Sequence, residues 1–404
     1  MQDLEMNLAA EPIDMLDRAQ YRAGRQIIRI DQSAAQIVAG WDDGTSSAFS
    51  AIWLRDNCAC PQCRHSVTME RLFSIIDHPR AVHIVAAHAA DGVLSVTFGN
   101  GDEQHDSRFA DSWLWQHRSG SAPLPTDAAV HRLWTAADLP EIPKFGYEAI
   151  MQNDAALDSW LKCIAELGAT LVTGMPTERG TVQLLTERVG QLRTTNFGTL
   201  FEVESKPNPN NSAYTSLALD LHTDIPNVPN PPGVQLLHCI VNAASGGGSV
   251  LVDGFRVAEE LRAQSPADFE LLTDNPITFR FHDTEVDLAH RAPVLRVNDT
   301  GQMAEVRFNN WIRAALDVSA DKVEAYYDAL MHYWRLLRDQ RFQLRLRLAA
   351  GQAIVFDNQR ILHGREEFDP QSGARLLQGC YFDFETLRSR RRVIARGQPM
   401  QAAV

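Results

Sequence analysis

No stretch of the 404-residue chain approaches the roughly 20 consecutive apolar residues that span a bilayer, so a membrane partner is not expected. Positive charge is in deficit, with 38 Lys and Arg against 51 Asp and Glu and a net charge of −13. That balance argues against a nucleic-acid or anionic-membrane surface and suits cationic ligands. Cysteine is sparse, six in all, and the start Met1-Gln2-Asp3-Leu4-Glu5 lacks the basic region of a signal peptide. A disulfide framework is therefore not expected, and the reading is a reducing, cytoplasmic setting. The glycine run Gly246-Gly247-Gly248-Ser249 lacks the Lys-Ser/Thr ending of a phosphate-binding loop and joins two strand-like segments, which excludes a nucleotide reading. Internal repeats and low-complexity tracts are also missing.

What is present is ordinary globular text, 45% hydrophobic and 22% charged. Its length exceeds what one hydrophobic core usually organises, so two domains are expected. The first spans residues 25–118 and is β-rich: Ile27-Ile28-Arg29-Ile30, Ala35-Gln36-Ile37-Val38 and Phe49 to Leu54 alternate around turn residues such as Gly40-Trp41-Asp42-Asp43-Gly44. Two Pro-rich segments, around Pro123 and Pro140, mark a linker over 119–143. Residues 144–395 form the second domain.

Three of the cysteines, Cys58, Cys60 and Cys63, fall within six residues. In a reducing setting such a cluster reads as metal binding, and zinc takes four sulfur or nitrogen ligands in a tetrahedron. The fourth ligand is a histidine from elsewhere. His65, His78, His83, His88 and His105 are all candidates, and spacing does not choose among them.

In the second domain, apolar spacing predicts helices over 154–167, 181–190, 255–264 and 320–338. Strands are expected at 234–241, 250–252, 277–281, 293–297, 304–308, 352–356 and 375–383. Many short strands with glycine-rich turns and flanking helices describe a mainly β, α+β domain of the sandwich or jelly-roll kind.

The chemistry centres on Leu221-His222-Thr223-Asp224. His222 and Asp224 would share one face of a strictly extended strand, and His363, immediately after a strand, supplies a third donor. Two imidazoles and one carboxylate on one face of an octahedral ion leave three positions open, the arrangement of non-haem Fe(II) oxygenases. His-x-Asp is a weak motif alone. Arg375, twelve residues after His363, strengthens it, because a buried guanidinium fork matches a carboxylate such as that of a 2-oxo acid.

Trp53-Leu54-Arg55-Asp56-Asn57-Cys58, Leu221-His222-Thr223-Asp224, Pro232-Gly233-Val234-Gln235-Leu236-Leu237-His238-Cys239, Val252-Asp253-Gly254-Phe255 and Phe356-Asp357-Asn358 with Leu362-His363-Gly364-Arg365 together resemble the family of gamma-butyrobetaine and trimethyllysine hydroxylases. The resemblance runs from about residue 25 to about residue 390. It implies a double-stranded β-helix with Fe(II) on His222, Asp224 and His363, and 2-oxoglutarate on Arg375 with help from Leu237 and Ser249. It also implies a zinc-binding N-terminal domain whose fourth ligand is His105. Phe197, Phe201, Tyr214 and Tyr381 match the family's aromatic cage for a quaternary ammonium group, with Phe at 197 and 201 where the animal enzymes carry Tyr or Trp. A Phe face attracts a cation less than a Trp face. Asn211 and Asn309, with Asn310 and Arg313 nearby, match the amides that bind the substrate carboxylate.

The implied activity is hydroxylation of gamma-butyrobetaine to L-carnitine by a homodimer using O2, with ascorbate as a possible reductant. Trimethyllysine and 2-(trimethylamino)ethylphosphonate are alternative substrates, and an inactive zinc-containing binding protein is the non-enzymatic alternative.

Overall fold

The computed structural model describes residues 24–65, 67–68, 70–77, 82–100, 103–120, 130–204 and 215–397. The described residues fall into two compact units, one made of those up to 120 together with those from 392 on, the other of residues 130–391. Among the described residues no helix is long and apolar enough to cross a membrane.

The first unit holds two three-stranded antiparallel sheets, Ile27–Gln32, Gln36–Trp41 and Ser46–Ser50 in one, His83–Ala90, Val93–Asn100 and Glu103–Ala110 in the other. Strand alternation buries Ile37, Trp41, Phe49, Leu94, Val96, Phe98 and Phe109 in one core. The strand text expected through Leu54 stops at Ser50, whose hydroxyl accepts a hydrogen bond from the Trp53 amide and caps a helix, Ala51–Asp56. That helix delivers the chain to the cysteine loop.

The second unit is built on two sheets. The larger runs in the order Lys144–Gly146, Ala169–Thr173, Gln352–Asp357, Val234–Asn242, Arg375–Phe382, Leu200–Val203, and the smaller in the order Leu219–His222, Ile361–Arg365, Ser249–Asp253, Gln343–Leu346. Strands that are neighbours in space are far apart in sequence, as a jelly roll requires. The expected jelly-roll class is therefore the observed one. Leu251, Leu344, Ile354, Phe356 and Leu377, drawn from both sheets, share one core cluster. Helix Asp154–Leu167 starts on the Asn153 cap and ends at Gly168, buries Leu157, Trp160, Leu161 and Ile164, and packs on the larger sheet. A second core forms where helices Gly254–Gln264, Pro266–Asp274 and Val323–Arg338 pack together.

The linker reading for 119–143 needs correction in its later part. Trp134, Leu139 and Ile142 are buried with Ala169, Leu171 and Phe356, and the Trp134 indole donates to Leu167 O at 2.8 Å. The prolines punctuate this segment, but the apolar side chains between them join the core of the second unit.

Candidate active site

His222 ends the strand Leu219–His222, and antiparallel pairing sets it directly opposite His363 on Ile361–Arg365. The two imidazole rings lie 4.1 Å apart between centroids. Asp224 does not reach them by continuing the strand. The chain breaks at Ile225, held at φ +53°, a region that disfavours β-branched residues. Asn358 clamps the break: its side-chain oxygen accepts from the Asp224 amide at 2.7 Å, and its amide donates to Asp224 O and Pro232 O. Arg307 holds the following loop by donating to Pro226 O, Val228 O and Pro229 O. His222 and Asp224 thus come together through a clamped turn and not along the extended strand that the shared-face argument assumes.

The Asp224 Oδ1 oxygen lies 3.3 Å from His222 Nε2 and 3.9 Å from His363 Nε2. All three donor atoms fall within 4.8 Å of one another. His222 Nδ1 sits 2.9 Å from the Asp220 carbonyl, which can only accept, so Nδ1 carries the proton and Nε2 turns its lone pair to the site. Burial, with His222 alongside, pushes the His363 imidazole down to about 3 and keeps it neutral. Burial alone would raise the Asp224 carboxyl, but the two imidazoles and the Tyr381 hydroxyl, donating at 2.7 Å, outweigh it and hold it below the usual range. Two imidazole nitrogens and one carboxylate are the donor set that a divalent iron accepts.

A cavity of about 570 Å³ opens on these three residues. Leu237, Ser249 and Arg375 line it, as do Phe197, Phe201, Asn309 and Tyr381. Asn211 and Tyr214 lie outside the described residues. Arg365 also lines the cavity, yet it donates to Thr215 O and Leu217 O. Arg375 differs: its Nε and Nη1 are buried and have no hydrogen-bond partner among the described residues. Leaving buried donors unsatisfied is costly, so this guanidinium is built for an anion. The glycine run makes room for it, since a Cβ at Gly247, φ +70°, would stand 3.0 Å from Arg375 Nε. Replacing Arg375 by Met is expected to raise KM for 2-oxoglutarate roughly 100-fold, the worth of lost charge-assisted bonds, while Fe(II) binding is kept. A KM within threefold of wild type contradicts this assignment.

Residues 126–381 match the family described as taurine catabolism dioxygenase TauD, TfdA family, and residues 28–115 match the gamma-butyrobetaine hydroxylase-like N-terminal family. The chain belongs to the TauD/TfdA dioxygenases. A gamma-butyrobetaine dioxygenase of Pseudomonas sp. (strain AK-1) is 39% identical over 90% of this chain and 96% of its own. The human gamma-butyrobetaine dioxygenase is 30% identical over 88% and 93%, and a trimethyllysine dioxygenase of Meyerozyma guilliermondii 27% over 94% and 98%. As a member of this family the chain is a 2-oxoglutarate-dependent non-haem Fe(II) dioxygenase, and the trio with Arg375 fits both requirements. An inactive binding protein would need neither.

Residues that the sequence did not single out complete the cavity of this dioxygenase. Trp311 meets the His222 ring edge-on at 5.0 Å, and Phe281 meets Phe197 at 5.7 Å. Arg280 and His282 stand beside Phe281 on the strand Ile277–His282. Trp311 follows Asn309 by two positions, the nearest signal available. Phe281 sat inside expected strand text with nothing to separate it from a core aromatic.

The N-terminal unit carries a second donor cluster. His105, on Glu103–Ala110, brings Nε2 to 3.2 Å from Cys58 Sγ, 3.7 Å from Cys60 Sγ and 3.6 Å from Cys63 Sγ. The four ligand atoms form a closed set compatible with structural zinc. Without a cation the thiols compete for protons: the hydrogen bond to Cys63 and burial push Cys58 up to about 12, while the same bond draws Cys63 down. A bound cation removes that conflict by letting all three ionise. Cys58→Ser is expected to drop the zinc-to-chain ratio from about one toward zero and to lower the melting temperature of the N-terminal unit. Unchanged metal content by atomic emission contradicts the assignment.

Proposed function

We propose that this dioxygenase hydroxylates gamma-butyrobetaine to L-carnitine, coupled to conversion of 2-oxoglutarate into succinate and CO2. The observation that carries the reading is one cavity joining the His222, Asp224 and His363 trio and Arg375, whose Nε and Nη1 have no hydrogen-bond partner among the described residues, to a wall of aromatic rings, Phe201 stacked on Tyr381 and Phe197 beside Phe281. A quaternary ammonium group has no N–H to donate, so π faces and exclusion of water are what recognise it. The identity of 39% to a gamma-butyrobetaine dioxygenase over nearly its full length supports the same choice.

In this reading Arg375 binds the distal carboxylate of 2-oxoglutarate, and Ser249 and Leu237 bound its pocket. His222, Asp224 and His363 hold Fe(II), which when bound supplies the redox chemistry that divides dioxygen between succinate and the hydroxylated product. The aromatic wall holds the trimethylammonium head so that a methylene faces the trio. Asn309, whose amide reaches Thr223 O at 3.4 Å, offers donors to the substrate carboxylate, with Asn211 assigned the same task from the family pattern. Orientation and dryness are the protein's contributions, and no side chain is needed as a general base. A zinc ion on Cys58, Cys60, Cys63 and His105 holds the N-terminal unit together.

Trimethyllysine is the second reading, favoured by the 27% identity to a trimethyllysine dioxygenase over 94% of this chain. A panel of gamma-butyrobetaine, trimethyllysine and 2-(trimethylamino)ethylphosphonate, read by product mass, separates the readings. The highest kcat/KM is expected for gamma-butyrobetaine, and a preference for either other compound replaces it.

A further inference from the structure

Phe201 and Tyr381 form one wall of the cavity, with ring centroids 5.2 Å apart and planes 28° from parallel. Phe201 stands on the edge strand Leu200–Val203, and strand pairing places it directly beside Gly379. Along Arg375–Phe382 the residues Arg375, Leu377 and Tyr381 line the cavity. Gly379 belongs to the same alternating series and presents no side chain there. The vacant space is taken by the phenyl ring: a Cβ at Gly379 would stand 2.5 Å from Phe201 Cζ and 2.6 Å from Cε2, with Leu236 O at 3.0 Å. Backbone on one side and ring on the other leave a methyl group a single outlet. The ring must lift off the strand toward the cavity.

The opposite end of the wall is also fixed. Tyr381 donates to Asp224 Oδ2 at 2.7 Å, so the stacked pair is tethered to the trio by that bond and seated on the sheet by the missing side chain. We propose that Gly379, acting through Phe201, sets the depth of the trimethylammonium pocket and so decides which methylene of the substrate faces His222 and His363. Gly379 is a positioning residue, and its effect is on chain-length selection. The claim rests on the trimethylammonium reading above.

The test is Gly379→Ala in the full-length, iron-loaded enzyme, assayed on gamma-butyrobetaine and on 3-trimethylaminopropionate, which is one methylene shorter. A raised wall shortens the pocket. The ratio of kcat/KM, longer over shorter substrate, is expected to fall about tenfold or more, the usual scale for a one-methylene mismatch. KM for 2-oxoglutarate is expected to stay within twofold, and gamma-butyrobetaine binding to the metal-free protein, read by calorimetry, to weaken by a similar factor. If Gly379→Ala folds poorly, the double variant Gly379→Ala/Phe201→Leu removes the far end of the ring and is expected to recover the wild-type melting temperature and 2-oxoglutarate KM.

A substrate ratio within twofold of wild type overturns the proposal. So does a double variant that keeps the lowered melting temperature of the single one, because the glycine would then be needed by the sheet and not by Phe201. Should wild type turn over neither substrate, the gamma-butyrobetaine reading fails on its own, and the same ratio test passes to trimethyllysine and its shorter homologue. The depth claim is then decided by a crystal structure of Gly379→Ala, in which the Phe201 ring either lifts off the strand or stays.

Discussion

Replacing Asp224 by alanine is expected to reduce 2-oxoglutarate turnover roughly 1000-fold or more, since loss of even an outer-shell partner of a metal ligand typically costs 10–100-fold. The carboxylate is the trio's only anion, it stands 3.3 Å and 3.9 Å from the two imidazole nitrogens, and the imidazoles with the Tyr381 hydroxyl hold its pKa below the usual range. Removing it leaves two imidazole nitrogens, too few to hold Fe(II) firmly. The substitution spares the fold, because the Asp224 backbone, which Asn358 grips, is unchanged. The expected signature is therefore specific: iron binding lost, melting temperature within a few degrees of wild type, and zinc content unaltered. Turnover within tenfold of wild type would remove Asp224 from the site.

The second large effect concerns stability. Arg360 and Asp253 form a two-pronged ion pair, 3.0 Å and 2.7 Å, with both side chains completely buried. Every remaining prong is engaged. Arg360 donates to Glu166 O and Arg132 O, while Asp253 accepts from the Trp134, Phe255 and Arg256 amides and so caps the helix Gly254–Gln264. One pair thereby ties together the segment around Trp134, the end of helix Asp154–Leu167, the smaller sheet and a second helix. Arg360→Met leaves a buried carboxylate uncompensated and is expected to cost about 3–5 kcal/mol. At about 2–4 °C per kcal/mol for a unit of this size, the midpoint falls by roughly 6–20 °C. The double variant Arg360→Met/Asp253→Asn is expected to lose less than the sum of its single changes, because removing both charges cancels the desolvation penalty. Strict additivity in thermal unfolding contradicts the coupling.

How much of this was written in the sequence differs by residue. The helices Asp154–Leu167 and Val323–Arg338 carry strong apolar periodicity and appear within a few residues of expectation. The helix Ala51–Asp56 was hidden because its short apolar text alternates like a strand, and only the Ser50 cap distinguishes it. Trp134 reads as linker because the prolines that flank its segment are visible in sequence, while its burial depends on strands more than 30 residues away.

In the site, His222 and Asp224 were legible as neighbours, but their meeting with His363 is a matter of strand register, which no local pattern encodes. The choice of His105 among the histidines came from resemblance, and the convergence of its Nε2 on three sulfurs gives that choice a geometry. Tyr381 was expected only as a cage ring. Its hydroxyl contact with Asp224 is invisible in one dimension, as is the space beside Gly379.

The central claim is that a cation-recognising aromatic wall and a 2-oxoglutarate-dependent iron trio share one cavity. The most direct measurement compares gamma-butyrobetaine with its carbon isostere 5,5-dimethylhexanoate, whose tert-butyl head carries no charge, in the presence of Fe(II), 2-oxoglutarate and O2, counting succinate and hydroxylated product. One succinate per molecule of L-carnitine, and a kcat/KM lower by about tenfold or more for the isostere, the scale of a desolvated cation–π contact, is the predicted result. Equal turnover of the two compounds, or succinate release that never yields a hydroxylated betaine, would contradict it.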